Sequence, residues 1–466
     1  MKNLREILKA IDIKDTNESY ASIAIKGISA HSSRIEPGFL FVAKKGATPQ
    51  SADGHNFIDD AVARGAHAIL VENSFSPKKV YSIPIIKAPN STQAYAYLCE
   101  AFYDFPSKKL CLIGITGTNG KTSTSFMLYS IFKAAGFEVR IMGTLGMGEP
   151  HKLAPLSHTT MEAEFISQSL SNFVHQGVDH VVMEVSSHAL ALDRVAALHF
   201  SAVGLSNISQ DHLDFHGTME EYTASKAKLF WQLAKNQTQK ILPIKHPFCT
   251  STHELQNLSF YSATEPLHFK LPLAGDFHQQ NANLAFFVAK SLGLDRDSIK
   301  KGLEQCPAIP GRFEVVARHP CKIIVDFAHT PEALENILRS LKNFSYGRLI
   351  VVMGCGGNRD KSKRPMMGHI AHKWADFVIV TDDNPRNEKP QQIRADIMTG
   401  MPNSNKAYNI GDRAQAIHEA IKLAQADDIV LIVGKGHENY QLYGNDKRAF
   451  CDKLVAQKIA ESLCKK

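Results

Sequence analysis

The chain has 466 residues, 44% of them hydrophobic and 21% charged, which suits a folded protein with large cores and predicts about three domains of roughly 150 residues each. Lysine and arginine number 53 against 46 acidic residues, a formal charge of +7 spread along the chain without a basic run; this argues against nucleic-acid binding and fits either an anionic substrate or a solvated basic surface. No stretch approaches the roughly 18 apolar residues of a membrane span, and the N-terminus MKNLREILKAIDI reads as an amphipathic helix without a signal peptide's apolar core, so the protein is expected in the cytoplasm.

The first 87 residues are predicted as a small α/β module, in which FLFVA (39–43), AHAILVE (66–72) and VYSIPIIKA (80–88) alternate with helical stretches. A central unit, 88–311, follows. After Pro106-Ser107-Lys108-Lys109 it has a buried strand, LCLIGIT (110–116), then a glycine loop and a helix from Thr122 to Ala135. VDHVVMEVSS (178–187) and SAVGLSNIS (201–209) read as further parallel strands, separated by segments long enough to be crossovers. Pro307 and Pro310-Gly311 break the chain. A third unit, 312–466, repeats the rhythm in CKIIVDFA (321–328), RLIVVMGCGG (348–357), DFVIVTDD (376–383) and DIVLIVGKG (428–436). Each of these strands ends in Gly, Asp, Asn or His, at the carboxyl edge where open α/β sheets bind ligands. The expected fold class is therefore α/β in three domains. The eight cysteines, Cys99, Cys111, Cys249, Cys306, Cys321, Cys355, Cys451 and Cys464, show no C-x-x-C spacing and are expected as free buried thiols in a reducing compartment.

The strongest chemical signal is the run from Gly117 through Thr118, Asn119, Gly120, Lys121 and Thr122 to Ser123, set between a strand and a helix. A triphosphate needs many N–H donors close to its oxygens. Glycines let the backbone approach, and a helix N-terminus adds a positive dipole. Lys121 would hold the β- and γ-phosphates, and Thr122 would ligate Mg²⁺. The loop departs from the general Walker form, which has Gly or Ala where this chain has Ile115. Glu184, at the end of a predicted strand, suits the second Mg²⁺ anchor across the sheet. Read alone, Glu184 is more often a partner in a structural hydrogen-bond network, His212 a loop histidine, and Lys226 a surface lysine.

These pieces together resemble the Mur ligase family over nearly the whole chain. The motifs run in order: GTNGKT (117–122), HTT (158–160), MEVSSHAL (183–190), NISQDHLDFHG (207–217), YTASK (222–226), PGRFE (310–314), VDFAHTPEAL (325–334), GCGGNRDKSKRP (354–365), TDDNPR (381–386) and GKGHE (434–438). The last five resemble the branch that adds a diamino acid to a UDP-linked muramoyl dipeptide. The resemblance implies a uridine-binding N-terminal module, a central P-loop ATPase domain with a parallel sheet, and a Rossmann-like C-terminal domain that binds the amino acid. It implies ATP and Mg²⁺ as cofactors, and a carbamate made from CO₂ on Lys226, which turns a cation into a metal-ligating anion. Lys121, Glu184, His212 and Lys226 then take the catalytic positions. Thr122 and Glu184 match ligands of one Mg²⁺, and His212 with carbamylated Lys226 ligands of another. Asn281, Arg312, Asp326 and His329 match further ATP contacts, with His278 standing where the family has an earlier asparagine.

For the UDP-muramoyl dipeptide the resemblance implies Ser33 and Arg34 at the uridine, and His158, Thr159, Thr160, Ser186 and Arg194 along the diphosphate and sugar-peptide part. His158 and Leu192 replace the expected Asn and Gln. Arg359, Asp383, Asn384, Pro385, Arg386, Gly434 and Glu438 match a meso-diaminopimelate site, with Ser362 replacing a common Gly. The run Asp383-Asn384-Pro385-Arg386 favours diaminopimelate over lysine. The two differ by one carboxylate, and arginine grips a carboxylate as a planar fork. The implied partners are these small molecules, with no nucleic acid and a monomeric chain. The alternatives are the same ligase adding L-lysine, a folylpolyglutamate synthetase-like ligase, and a nucleotide-binding module without catalysis.

Overall fold

A computed structural model describes all residues except 12, 14–17, 47–51, 78, 249–254, 273–274, 343–345, 402–404 and 465–466. The N-terminal sheet has four parallel strands in sequence order: Gly27–Ser29, Phe39–Val42, Ala68–Glu72 and Ile85–Ala88. Side chains alternate across it, as the two-residue period of a strand requires. Leu40, Val42, Leu70 and Ile86 pack with Leu4, Ile7 and Leu98 on one face. Phe41, Ile69 and Val71 pack with Ile58 and Ala61 on the other. The division after residue 87 passes through the last of these strands, and helix Ser91–Phe102 adds Ala94 and Leu98 to the same core. The first helix is shorter than the opening sequence suggests. It covers Leu4–Leu8, where Asn3 caps it by accepting from the Arg5 amide at 2.9 Å.

The central sheet has eight strands in the order Lys152–Ala154, Gly146–Glu149, Val139–Gly143, His180–Glu184, Cys111–Thr116, Ala202–Leu205, Gln239–Pro243 and Leu258–Tyr261. The first two form antiparallel pairs, and the other six run parallel. Helix Lys121–Ala134 springs from the carboxyl end of Cys111–Thr116 and packs against helices Asp276–Ser291 and Arg296–Glu304. The register sets Glu184 beside Ile115 and Leu205 beside Thr116. Everything that leaves those strand ends therefore surrounds the glycine loop.

The C-terminal sheet has six strands in the order Glu314–Ala317, Lys322–Asp326, Ile429–Val433, Leu349–Met353, Phe377–Val380 and Ala407–Asn409. Only the first pairing is antiparallel. The fully buried pair Arg413–Asp452, at 2.7 Å, braces the carboxyl edge, because Arg413 also donates to the Val433 carbonyl at 2.9 Å. The fold class expected from the sequence is the one observed.

The described cysteines are free, but only Cys99, Cys306, Cys321 and Cys355 are buried. Cys111 and Cys451 are half-buried and Cys464 is exposed, the last because it ends helix Asp452–Cys464. Cys249 lies outside the described residues. Among the described residues no helix is long and apolar enough to cross a membrane.

Candidate active site

A cavity of ≈ 330 Å³ lies where the carboxyl edges of the central and C-terminal sheets face each other. The central unit lines it with Thr118, Asn119, Gly120, Lys121, Thr122, Ser123, Thr159, Glu184, Ser186, His212 and Asn281. The C-terminal unit adds Arg312, Asp326, His329, Arg359, Asp383, Asn384, Arg386, Gly434 and Glu438. Gly117, Lys226, Thr160, Arg194, His158, Pro385, Ser33 and Arg34 do not line it.

The loop bends at Gly117 and Gly120, with φ of +142° and +86°. A Cβ on Gly120 would stand 2.2 Å from Asn281 Oδ1. Asn281 thus packs on the loop itself. Gly120→Ala is expected to cost about 1–3 kcal/mol of nucleotide affinity, from left-handed backbone strain and from displacing Asn281. The ATP-dependent rise in melting temperature should shrink accordingly. Lys121 Nζ donates to the carbonyls of Gly117 at 2.8 Å and Thr118 at 2.9 Å. Burial lowers the pKa of this ammonium, against the pull of Glu184 and Asp211.

Glu184 is 2% exposed and fully engaged. Its two oxygens accept from Thr122 Oγ1 at 3.0 and 3.1 Å, from the Thr144 amide at 2.9 Å, and from the Thr144 hydroxyl at 2.9 Å. Arg312 reaches in from the C-terminal unit, donating to Thr122 Oγ1 at 3.3 Å while its guanidinium stacks 4.5 Å from the Phe327 centroid. Among the described residues no three His, Cys, Asp or Glu side chains converge into a complete metal shell. A hydroxyl and one carboxylate together suit Mg²⁺, which takes oxygen ligands and leaves most of its shell to water and phosphate.

Lys226 is a buried lysine, only 1% exposed, which corrects its stand-alone reading as a surface residue. Its helix, Met219–Lys228, turns it inward, where Nζ donates to the Gly117 carbonyl at 2.8 Å and lies 4.7 Å from the Tyr222 ring. Burial, then the charge of Lys121, push its pKa well below the ordinary lysine value, with Asp211 opposing. His212 adopts φ +57° at the start of the short helix Leu213–His216. Burial pushes its pKa down to about 2, so the ring is neutral and able to ligate.

Asp211 was not singled out in the sequence, although it stands next to His212 in the same motif. Its carboxylate lies 3.4 Å from His212 Nε2, 3.5 Å from His329 Nε2 and 3.6 Å from Lys363 Nζ. Burial would raise it, but His329, His212 and Lys363 hold it well below the usual carboxylate range. It therefore joins the two units electrostatically beside the loop. Asp326 accepts from the amides of Phe313 and Ala328, both at 2.7 Å, which fixes the turn carrying Arg312. Thr144 was also missed, because nothing in its glycine-rich surroundings marks it.

On the opposite wall, Asn384 donates to Glu438 Oε2 at 2.8 Å. Asn384 Oδ1 accepts from the Leu442 amide at 3.0 Å and from the buried Lys435 at 3.2 Å. Lys435 also donates to Glu438 at 2.8 Å; its place inside GKGHE was the only signal. Arg386 donates through Nη1 to the Gly357 carbonyl at 2.8 Å. A Cβ on Gly356 would come within 2.8 Å of that nitrogen, and one on Gly434 within 2.7 Å of Asp383 Oδ2. These glycines keep room for the Arg386 and Asp383 side chains.

Of the remaining residues, Thr159 and Ser186 line this cavity, whereas Thr160, Arg194, His158, Ser33 and Arg34 lie outside its lining. Thr159 Oγ1 lies 3.1 Å from Thr144 Oγ1. Thr160 donates to the Glu184 carbonyl at 2.8 Å and accepts from the Ser186 amide at 3.0 Å. Arg194 donates to the Thr160 carbonyl at 2.9 Å. His158, Ser33 and Arg34 are exposed.

Three family descriptions match the chain: "Mur ligase family, catalytic domain" over 24–102, "Mur ligase middle domain" over 115–257, and "Mur ligase, glutamate ligase domain" over 311–436. The UDP-N-acetylmuramoyl-L-alanyl-D-glutamate--2,6-diaminopimelate ligase of Aquifex aeolicus is 39% identical, covering 93% of each chain. That of Thermosynechococcus vestitus is 38% identical over 98% of this chain and 97% of its own. A solved structure of a ligase of the same name is 29% identical, covers 99% of each chain and superposes with a TM-score of 0.67. Full-length matches to all three parts, around a site built from the same motifs, show that the chain belongs to the Mur ligase family.

Proposed function

We propose that this protein joins meso-2,6-diaminopimelate to the D-glutamyl carboxylate of UDP-N-acetylmuramoyl-L-alanyl-D-glutamate, with ATP converted to ADP and phosphate. This is a cytoplasmic step in making peptidoglycan precursors. The observation that carries the reading is the single cavity in which Lys121, Thr122 and Glu184 face Asn384, Arg386 and Glu438. The curated relatives just described bear the name of this ligase along their whole lengths.

A carboxylate resists attack because its leaving group would be oxide. Transfer of the γ-phosphoryl group makes an acyl phosphate, and the incoming amine then displaces phosphate. Lys121 and Arg312 would offset the negative charge that gathers on the transferring group. Bound Mg²⁺, held at Thr122 with Glu184 and at His212 with a carbamate on Lys226, would supply further charge stabilisation. The lowered pKa of Lys226 suits carbamate formation, since only a free amine attacks CO₂ and burial favours that form. In this reading Ser33, Arg34, His158, Thr159, Thr160, Ser186 and Arg194 hold the UDP-linked dipeptide, which lies between the N-terminal unit and the central unit. Residues 312–466 carry the amino acid and close over ATP, with Asn281, Asp326 and His329 at the nucleotide. The enzyme acts as a monomer.

The test is phosphate release from ATP in the presence of the UDP-muramoyl dipeptide, comparing meso-diaminopimelate with L-lysine. Release with diaminopimelate and no more than about a thirtieth of that rate with lysine is expected, from the roughly 2–5 kcal/mol cost of leaving Arg386 unpaired. Equal rates would replace the diaminopimelate reading with a lysine-adding one. No release with either, while ATP still binds, would favour the nucleotide-binding module.

A further inference from the structure

The N-terminal and central units meet at a charged cluster outside the phosphate site. Glu162 precedes helix Ala163–His175. It accepts from Lys44 Nζ at 2.8 Å and pairs with Arg194 Nη2 at 2.8 Å. Lys44 follows strand Phe39–Val42 of the N-terminal sheet, whereas Glu162 and Arg194 belong to the central unit. The Lys44 ammonium also lies 5.1 Å from the centroid of Tyr95, whose hydroxyl donates to Glu164 at 2.9 Å. Arg34 acts electrostatically on both His31 and Glu164 in the same cluster. The side chains of Lys44, Glu162 and Arg194 are 23%, 28% and 12% exposed, so the cluster is half-desolvated and open to a ligand.

The charges explain why a lysine belongs here. Arg194, fixed by the Thr160 carbonyl, points into the group of residues read above as holding the UDP-linked substrate. That substrate is anionic at its diphosphate and its carboxylates. Glu162 alone would cancel Arg194 and repel such a ligand. With Lys44 present, Arg34, Lys44 and Arg194 outweigh Glu162 and Glu164 by one positive charge. Without it the cluster is neutral.

Building on the ligase reading, we propose that Lys44 is a further positioning residue for the UDP-linked substrate: it neutralises Glu162, so that Glu162 holds Arg194 in place without repelling the anion. Glu162 is thus the strut and Lys44 its counter-charge. A bridge that merely joined two domains would behave differently, because either partner's loss would break it alike.

The experiment measures KM for the UDP-muramoyl dipeptide and for ATP in the full-length enzyme, with Lys44→Met, Lys44→Arg, Glu162→Gln and the double variant Lys44→Met/Glu162→Gln. Lys44→Met should raise KM for the dipeptide about five- to tenfold, with the KM for ATP moving less than twofold. Lys44→Arg should restore it. Glu162→Gln keeps an amide oxygen that accepts from Arg194 while removing the negative charge, so it should not raise KM, and the double variant should recover the wild-type value because the strut and the net charge are both kept. Equal increases in Lys44→Met and Glu162→Gln, without recovery in the double variant, would overturn the proposal in favour of a structural bridge. So would an unchanged KM in Lys44→Met. Wild-type enzyme that released no phosphate with this dipeptide would instead sink the ligase reading on which the proposal rests.

Discussion

Arg386→Ala is expected to lower kcat/KM for meso-diaminopimelate by about thirtyfold to several thousandfold, the effect of removing one partner from a desolvated charge pair worth roughly 2–5 kcal/mol. Three features make the effect large. Burial, then the neighbouring charge of Arg359, lower the pKa of the guanidinium although Asp383 and Glu438 pull the other way, so this half-buried cation gains from a further anion. Its Nη1 is held by the Gly357 carbonyl, leaving the rest of the fork for a ligand. The backbone is pinned as well, with the Arg386 amide donating to the Leu442 carbonyl at 2.9 Å. Arg386 has φ +52°, and alanine bears the same left-handed strain as arginine, so the substitution tests the side chain and not the turn. The ATP-dependent rise in melting temperature should be unchanged, which separates loss of the amino-acid site from loss of fold. A variant retaining more than a third of the wild-type kcat/KM would show that the second carboxylate is read elsewhere.

How much of this was legible depended on whether the physics was local. Strands such as Leu349–Met353 and Ile429–Val433 announced themselves because parallel strands buried on both faces need continuous apolar runs. The glycine loop was legible for a similar reason, since positive φ and close approach select glycine at 117 and 120. Lys226 was different. In its helix it looks like one polar residue among Glu220, Glu221 and Lys228, and only packing against the loop shows it buried. The whole-chain resemblance had flagged it where helical periodicity could not. Thr144 and Asp211 serve through partners 40 and 118 residues away in the chain, a relation that no local pattern encodes. The domain division likewise needed the packing of helix Ser91–Phe102, which is amphipathic whichever unit it joins.

Lys226→Met should separate activity from stability in opposite directions. Turnover is expected to fall by about a thousandfold, the scale for removing one preorganised charge from a phosphoryl-transfer site. Methionine fills similar space but offers no amine to CO₂. Stability should move the other way in CO₂-free buffer. The folded pKa of Lys226 is lowered by burial, then by Lys121, so between that value and the ordinary lysine value the unfolded chain binds a proton that the folded chain does not. By linkage, folding stability then rises with pH across this window and is diminished at neutral pH. Methionine abolishes that proton difference. The variant should therefore melt no lower than wild type at pH 7, and its melting temperature should climb less between pH 7 and 10. Wild-type enzyme given ¹³C-labelled bicarbonate should show a carbamate carbon resonance that the variant lacks. If the variant kept more than a tenth of the wild-type rate, or if the labelled resonance persisted in it, Lys226 would not be the carbamylated ligand. The loss of both rate and resonance, with stability intact, would mean that this buried amine is the one that reacts with CO₂ and that turnover depends on the product.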